Sequence, residues 1–143
     1  MAAGGTLPME DISKVVVFNA PIEKVWKAVS TAEGITSWFM PNDMKAEMGY
    51  EFTFEAGQFG KSPCKVTELD APHLLGFDWG KDWHLTFKLK DLGDNKTEFN
   101  LIHSGWDENM STEHGQPHTV VRGHMDMGWD NIVANKLRDI VEA

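Results

Sequence analysis

The hydrophobic pattern of this chain has two long stretches of different period, and they limit the folds open to it. Between residues 44 and 103, apolar residues alternate with polar ones, as around Phe52 and Phe54, which is typical of half-buried β-strands. Residues 117–142 have apolar positions three and four apart, which predicts one long helix. An antiparallel sheet with one apolar face needs cover, and this helix can supply it.

The first part of the chain predicts one strand and two short helices. Residues 12–18 (ISKVVVF) are apolar and β-branched, as strands prefer. A proline then precedes residues 22–29, where it is compatible with a first helical turn, so this segment predicts a helix. Ser30 and Glu33 have the spacing of a capping box, in which the serine oxygen accepts the glutamate N–H and starts a second helix through Trp38.

Short connections between the alternating strands favour an antiparallel meander over βαβ units. One of them, residues 92–95 (LGDN), is a hairpin signal. The predicted fold class is α+β: a curved antiparallel sheet of six to seven strands wrapped around a long C-terminal helix, with two short helices after the first strand. This arrangement is the helix-grip fold. A strongly twisted sheet that curls round one helix rarely closes evenly, so we expect a cavity between them.

The apolar stripe of the predicted helix includes one residue that weakens helices. Val121, Met125, Gly128 and Ile132 lie within one narrow angular sector, and Trp129 lies beside it. A glycine within a helix costs about 1 kcal/mol relative to alanine. We therefore expect Gly128 to leave room, either for close backbone approach or for a ligand beside Trp129.

Composition argues against several classes of function. With 13 Lys+Arg against 22 Asp+Glu the net charge is −9, and no Lys/Arg cluster stands out, so we expect neither nucleic-acid binding nor membrane insertion. The single cysteine, Cys64, excludes an internal disulfide, and no secretory leader opens the chain, so we predict a cytoplasmic location. We expect residues 1–10 to be a flexible tail and residues 11–143 to form a single, monomeric domain.

Short motifs along the chain resemble a known family. They are APIEKVW at residues 20–26, WF-x-P at 38–41, ELDAPHL at 68–74 with the following Trp79, LIHSG at 101–105 and GW at 128–129. In this order they resemble the activator of heat-shock protein 90 ATPase homologue-like proteins of the START-like (SRPBCC) superfamily, over residues 12–142. The resemblance implies the helix-grip fold. It leaves function open, because this superfamily includes binding proteins, cyclases and co-chaperone modules.

The six tryptophans and eight phenylalanines must be buried in a core or around a ligand. The periodicity directs a set of residues, most of them aromatic, to the space between sheet and helix or to its mouth. This predicted ligand-binding set is Trp38, Phe39, Phe52, Trp79, Trp83, Phe87, Phe99, His103, Trp106, Met125, Trp129 and Val133. A tightly packed aromatic core is the alternative for any one of them.

Two members of this set have special roles in the predicted site. His103 is on the inward face of its strand, where a neutral imidazole can bind a ligand oxygen. Alternatively, it is a hydrogen-bonded core histidine that fixes the bend at Ser104 and Gly105. Trp106, in a polar loop, is hard to explain as core, and it is our candidate for a lid over a flat ligand.

The spacing of histidine and cysteine residues along the sequence does not indicate a metal site or a catalytic site. His114, His118 and His124 would need further ligands, and the first two are expected to precede the helix. No HExxH or CxxC motif occurs, so we predict no metal site. Lys65 can lower the pKa of Cys64 slightly, but an ordinary strand cysteine is the favoured interpretation. We predict no catalytic residue and no cofactor.

The favoured hypothesis is a binding protein without catalytic activity, which encloses an apolar, aromatic or lipid-like small molecule. Two alternatives stay open. The resemblance implies a co-chaperone-like module that docks on a heat-shock protein 90-type ATPase, with that chaperone as partner. The superfamily also allows a cyclase- or hydrolase-like enzyme that acts on a polyketide-like substrate in the cavity.

Overall fold

The computed structural model describes residues 11–55, 61–80, 83–106, 115 and 117–143. Its six strands are β1 (Ile12–Phe18), β2 (Glu51–Glu55), β3 (Lys61–Asp70), β4 (Leu74–Trp79), β5 (Trp83–Gly93) and β6 (Lys96–Ser104). The predicted tail at residues 1–10, His114 and most of the segment after Trp106 lie outside the described residues.

The strands form one curved antiparallel sheet in the order β1-β6-β5-β4-β3-β2, so β1 and β2 are its edges. Strands β2 to β6 pair with their neighbours in sequence, and β1 joins the far side of β6. Asp94 and Asn95 connect β5 to β6 at φ angles of 53° and 58°, the left-handed conformation that two-residue hairpins favour. The predicted meander and hairpin are both confirmed.

The inner face of the sheet follows the predicted alternation. On β6, Thr97, Phe99, Leu101 and His103 are buried, and the residues between them keep more exposed surface. The register places Leu85 of β5 directly beside His103. The end of β6 therefore brings a histidine into an otherwise apolar layer.

Two short helices, α1 (Ile22–Ser30) and α2 (Ala32–Trp38), follow β1 as predicted. The predicted capping box is wrong by one residue. Thr31 caps α2, and its Oγ1 accepts the N–H of Gly34 at 3.0 Å. Because α1 extends through Ser30, the hydroxyl of that serine instead donates to the carbonyl of Trp26 at 2.6 Å.

The two short helices meet closely at Gly34. A Cβ atom at this position would lie 2.5 Å from the carbonyl oxygen of Lys27 and 2.6 Å from that of Ala28. Any side chain would therefore push α2 away from α1. The glycine is required by close backbone approach.

The C-terminal helix consists of α3 (His118–Asn131), a π-helical segment (Ile132–Leu137) and α4 (Arg138–Val141). Its buried side chains in the second half are Trp129, Val133, Leu137 and Val141, at a constant spacing of four. In an α-helix this spacing drifts by about 40° per step, since each residue turns about 100°. The wider turns of the π-helical segment reduce the drift and keep these side chains directed at the sheet.

The helix crosses the sheet from one end to the other. His118 at its start contacts Trp83 at the start of β5, with ring centroids 6.0 Å apart. Arg138 near its end donates to the carbonyl of Val17 at 3.2 Å, beside the end of β1. No helix within the described part of the chain is long and apolar enough to cross a membrane.

Candidate functional site

Indole and imidazole rings collect at one end of the interior, where β4, β5 and β6 meet the start of α3. We call this group the indole–imidazole cluster, and its members are Trp79, Trp83, His103, Trp106, His118 and Trp129. Trp79 and Trp83 pair across β4 and β5, because only a short connection separates these strands. The inward parity of β6 brings His103 beside them.

The rings of the cluster are in direct contact. The centroid of Trp83 lies 5.0 Å from that of His103 and 4.9 Å from that of Trp106. His103 and Trp106 are 4.6 Å apart, and Trp79 is 5.2 Å from Trp83. These separations are those of packed aromatic pairs, so side chains from three strand ends form one layer of rings.

His103 is fully buried, and its two ring nitrogens have different surroundings. The Nε1–H of Trp129 donates to Nδ1 of His103 at 3.0 Å, so the proton of the neutral ring is on Nε2. Burial, with a smaller contribution from the charge of Arg122, lowers the pKa of His103 to about 3. The ring is therefore neutral at pH 7 and presents an N–H group from Nε2.

Two N–H groups of the cluster are buried with no hydrogen-bond acceptor among the described residues. They are Nε2 of His103 and Nε1 of Trp83. By contrast, the indole N–H of Trp106 donates to the carbonyl oxygen of His103 at 3.0 Å. A buried donor without an acceptor is costly, so these two atoms mark the polar part of the cluster.

His118 also belongs to this group, although we did not predict it from the sequence. It is the first residue of α3, whereas we predicted it before the helix, and it is fully buried against Trp83 and Trp106. A signal was present in the spacing. His118, Arg122 and Trp129 are four and seven residues apart, which places them on one side of a helix. A search for apolar residues alone does not detect that stripe.

The other members of the predicted set continue from the cluster into the middle of the interior. Phe39 joins the two parts, since its ring centroid lies 4.9 Å from Trp129 and 5.7 Å from Trp79. The Nε1–H of Trp38 donates to the carbonyl of Ala28 at 2.8 Å, so its polar atom is used within the protein. The remaining members, buried or packed against the core, are Phe52, Phe87, Phe99, Met125 and Val133.

Trp106 lies within the core, although it follows the last strand. Its side chain is only 3% exposed, because the hydrogen bond to the His103 carbonyl folds the residue back onto the cluster. The argument that a polar loop keeps this tryptophan out of the core is therefore wrong.

Gly128 does not serve close backbone approach. A Cβ atom there would meet no heavy atom within 4 Å among the described residues. Of the two explanations that the sequence left open, packing of backbone against backbone is therefore excluded for this part of the chain.

Cys64 has no environment that would activate its thiol. Burial raises the pKa of Cys64 to about 12, which overturns the expected slight lowering by Lys65. Its Sγ lies 3.7 Å from the carbonyl oxygen of Ser62. The protonated thiol is a weak nucleophile near neutral pH.

Three open cavities lined by described residues lie outside the space between sheet and helix. One of about 280 Å³ is formed by α1, α2 and the end of the C-terminal helix, with Lys27, Gly34 and Ile140 in its wall. Two of about 210 and 220 Å³ lie beside Cys64 and at the β5–β6 hairpin. Within the described interior, the rings of the indole–imidazole cluster lie in contact with one another.

A second titratable group lies on the outer face of the sheet. His84 bridges two carboxylates, with Nε2 2.8 Å from Oε1 of Glu68 and Nδ1 2.9 Å from Oδ1 of Asp78. Burial lowers the pKa of His84, but the hydrogen bonds to Asp78 and Glu68 raise it by more, so that it lies above its usual value. Across the described ranges, no three His, Cys, Asp or Glu side chains are arranged to hold a metal ion.

A curved antiparallel sheet that grips one long helix, with two short helices after its first strand, defines a START-like helix-grip domain. The chain belongs to the family described as Activator of Hsp90 ATPase homolog 1-like protein, whose model matches residues 19–142. The resemblance inferred from the sequence motifs is thus confirmed. A search of the curated proteins gives no match.

Solved structures agree with this assignment. The solution structure of protein BH1534 from Bacillus halodurans is 47% identical with a TM-score of 0.85, and the match covers 94% of this chain and 99% of that one. The Aha1 dimer from Colwellia psychrerythraea is 20% identical with a TM-score of 0.75, covering 94% and 97%. An HSP90 activator from Plasmodium falciparum, PFC0360w, is 19% identical with a TM-score of 0.70, covering 89% and 93%. The last two show a shared fold.

Proposed function

We propose that this protein binds a flat, apolar small molecule among the rings of the indole–imidazole cluster, between the sheet and the C-terminal helix. The observation that carries this proposal is the crowding of indole and imidazole rings at one end of the interior, with centroids 4.6–6.0 Å apart. Phenylalanine and aliphatic side chains are sufficient to fill a core. Indole and imidazole add polar atoms to an apolar face, a combination typical of small-molecule sites.

Partial exposure of three side chains supports a point of entry for such a molecule beside the cluster. Phe39, Trp83 and Met125 keep part of their surface exposed while their neighbours are buried. Trp106 lies beyond the last residue of β6, and its indole N–H donates a hydrogen bond to the backbone carbonyl of His103. It can therefore swing outward without breaking any pairing of the sheet, as a lid must.

The apolar surface of the bound molecule sets the expected affinity. A bicyclic aromatic molecule that loses about 200 Å² of apolar surface, similar to a tryptophan side chain, gains about 5 kcal/mol. This corresponds to a Kd of a few tenths of a millimolar. Polar contacts would have to supply any tighter binding.

Titration with 2-ethylnaphthalene, followed by amide and indole ¹H–¹⁵N chemical shifts, tests the proposal. We expect the indole signals of Trp83, Trp106 and Trp129 to move. Signals of the β5–β6 hairpin should stay unchanged, because the hairpin lies at the other end of the sheet. Ile12 pairs with His103 and Phe18 pairs with Thr97 beside the hairpin, and these two residues of β1 are about 20 Å apart.

Two variants separate binding from stability. Trp106→Leu removes the lid and should weaken binding about tenfold. Phe18→Leu removes a buried ring from the opposite end and should lower stability without changing the affinity. If wild-type shifts do not respond to 2-ethylnaphthalene, or respond equally over the whole chain, the proposed site is wrong.

A second candidate function rests on the family match and on the HSP90 activator from Plasmodium falciparum, which has the same fold. In this case the protein acts as a co-chaperone on an Hsp90-type ATPase. The test is the ATPase rate of a purified Hsp90 from the same source with increasing amounts of this protein. An unchanged rate would remove this candidate.

We propose no catalytic step. The pKa of His103 is lowered to about 3 and that of Cys64 is raised to about 12. Acid–base and nucleophilic groups work best with pKa values near the working pH. Neither side chain meets that condition at pH 7, so the enzyme alternative is the least favoured.

A further inference from the structure

Two hydrogen-bond donors of the cluster point to the chemistry of the bound molecule. Nε2 of His103 and Nε1 of Trp83 are buried and have no acceptor among the described residues. Their rings are in contact, with centroids 5.0 Å apart at an angle of 83°. Both N–H groups therefore lie within the span of one small molecule.

The donor character of His103 is set by its neighbour. Because the indole of Trp129 donates to Nδ1, that nitrogen is the acceptor and Nε2 carries the hydrogen. The ring cannot reverse these roles without breaking this buried bond. Trp83 is a donor in every state, since indole nitrogen has no lone pair to offer.

We propose that the molecule enclosed by the cluster carries an oxygen acceptor, a carbonyl or a carboxylate, which accepts hydrogen bonds from Nε2 of His103 and Nε1 of Trp83. This inference rests on the proposed function, because it requires a guest among the same rings. An oxygen of either group has lone pairs for two donors, which is enough acceptor capacity for both N–H groups.

The local charge favours an electron-rich oxygen. Arg122 on α3 places a positive charge near His103. A negative or strongly polarised oxygen is stabilised there more than a hydrocarbon edge of the same size.

Three naphthalenes of nearly equal size make the test: 2-ethylnaphthalene, 2-acetylnaphthalene and 2-naphthoate. The first lacks an acceptor, the second offers a carbonyl and the third a carboxylate. We expect at least one of the two oxygen-bearing probes to bind about tenfold more tightly than the hydrocarbon. The indole proton signal of Trp83, assigned by its loss in Trp83→Phe, should move downfield with that probe and not with the hydrocarbon.

Matched variants assign the preference to the two donors. Trp83→Phe keeps an aromatic ring without the N–H. His103→Asn keeps an oxygen that can accept from Trp129 while removing the donor at Nε2. Each should reduce the preference for the oxygen-bearing probe severalfold. Trp38→Phe is the control, because its N–H already donates to the Ala28 carbonyl, and it should leave the preference unchanged.

The outcomes separate this inference from the proposed function. If all three naphthalenes bind with equal affinity, the oxygen preference is refuted and the aromatic site stands. If none binds, both are refuted. If the preference survives in Trp83→Phe and His103→Asn, or the Trp83 indole signal is unmoved by the oxygen-bearing probes, these donors do not hold the oxygen and the inference is overturned.

Discussion

Acid should destabilise this protein through His103. The ring is neutral in the folded protein, with a pKa lowered to about 3 by burial, whereas an exposed histidine titrates near 6.5. The unfolded chain therefore takes up a proton at a pH where the folded chain does not. Stability that is fully present above pH 6.5 is lost progressively as the pH falls toward 3.

The magnitude follows from the interval between these two values. Each pH unit between them removes about 1.4 kcal/mol from the free energy of unfolding. The loss begins at about pH 6.5, the pKa of the histidine in the unfolded chain. Lowering the pH from there to 5.0 covers about 1.5 pH units, which corresponds to a loss of about 2 kcal/mol. This is a large fraction of the roughly 5–15 kcal/mol that stabilises a domain.

Urea unfolding of the wild type and of His103→Asn, followed by tryptophan fluorescence at pH values from 7.5 to 5.0, measures the effect. All other titrating groups are common to both proteins, including His84, whose raised pKa acts in the opposite direction. The stability difference should therefore change by about 2 kcal/mol across this range. Parallel curves would refute the burial argument, as would wild-type His103 ring signals that titrate between pH 8 and 5.

Three further predictions concern residues outside the cluster. Gly128→Ala should raise the free energy of unfolding by about 1 kcal/mol, because alanine favours helices and the new methyl group meets no described atom within 4 Å. Gly34→Ala should lower the free energy of unfolding by about 1–3 kcal/mol, because its methyl group would meet the backbone of α1. Urea unfolding measures the sign of both changes. Relative to Glu68→Gln, the wild type should gain up to about 1 kcal/mol as the pH falls through the raised pKa of folded His84 toward about 6.5, and this gain is complete below that value, where the unfolded chain is protonated too. A stability difference that is the same at all pH values would contradict the ion pair. Cys64 should resist iodoacetamide at pH 8 until urea is added, as mass spectrometry can show, and rapid labelling of the folded protein would disprove its burial.

The fold could be predicted because its signals are local. Alternating residues define β5 and β6, and the hairpin at Asp94 and Asn95 needs only their own backbone preferences. The cap of α2 was misplaced because Ser30 and Thr31 both carry the required hydroxyl, and the end of α1 decides between them. No local signal indicated the π-helical segment, since it depends on packing against the sheet.

Local signals also predicted part of the candidate site. Strand parity placed His103 in the interior, but its partner on Trp129 comes from a helix that starts fifteen residues later. Trp106 and His118 were misjudged because polar neighbours in sequence hide contacts that exist only in three dimensions. The sequence also cannot tell whether converging rings surround a space or fill it, since that depends on fractions of an ångström in their separations.

The widened turns after α3 make the length of that segment critical. A π-helical hydrogen bond spans one residue more than an α-helical one, so deleting a single residue between Ile132 and Leu137 would let the rod wind as a regular α-helix. The buried positions would then lie four, three and four residues apart, a spacing that a regular α-helix keeps on one side, so Arg138 would stay beside the Val17 carbonyl and the ring of Phe18. An added residue has no such remedy, because it would turn the end of the helix by about 100° and move Arg138 away from the first strand.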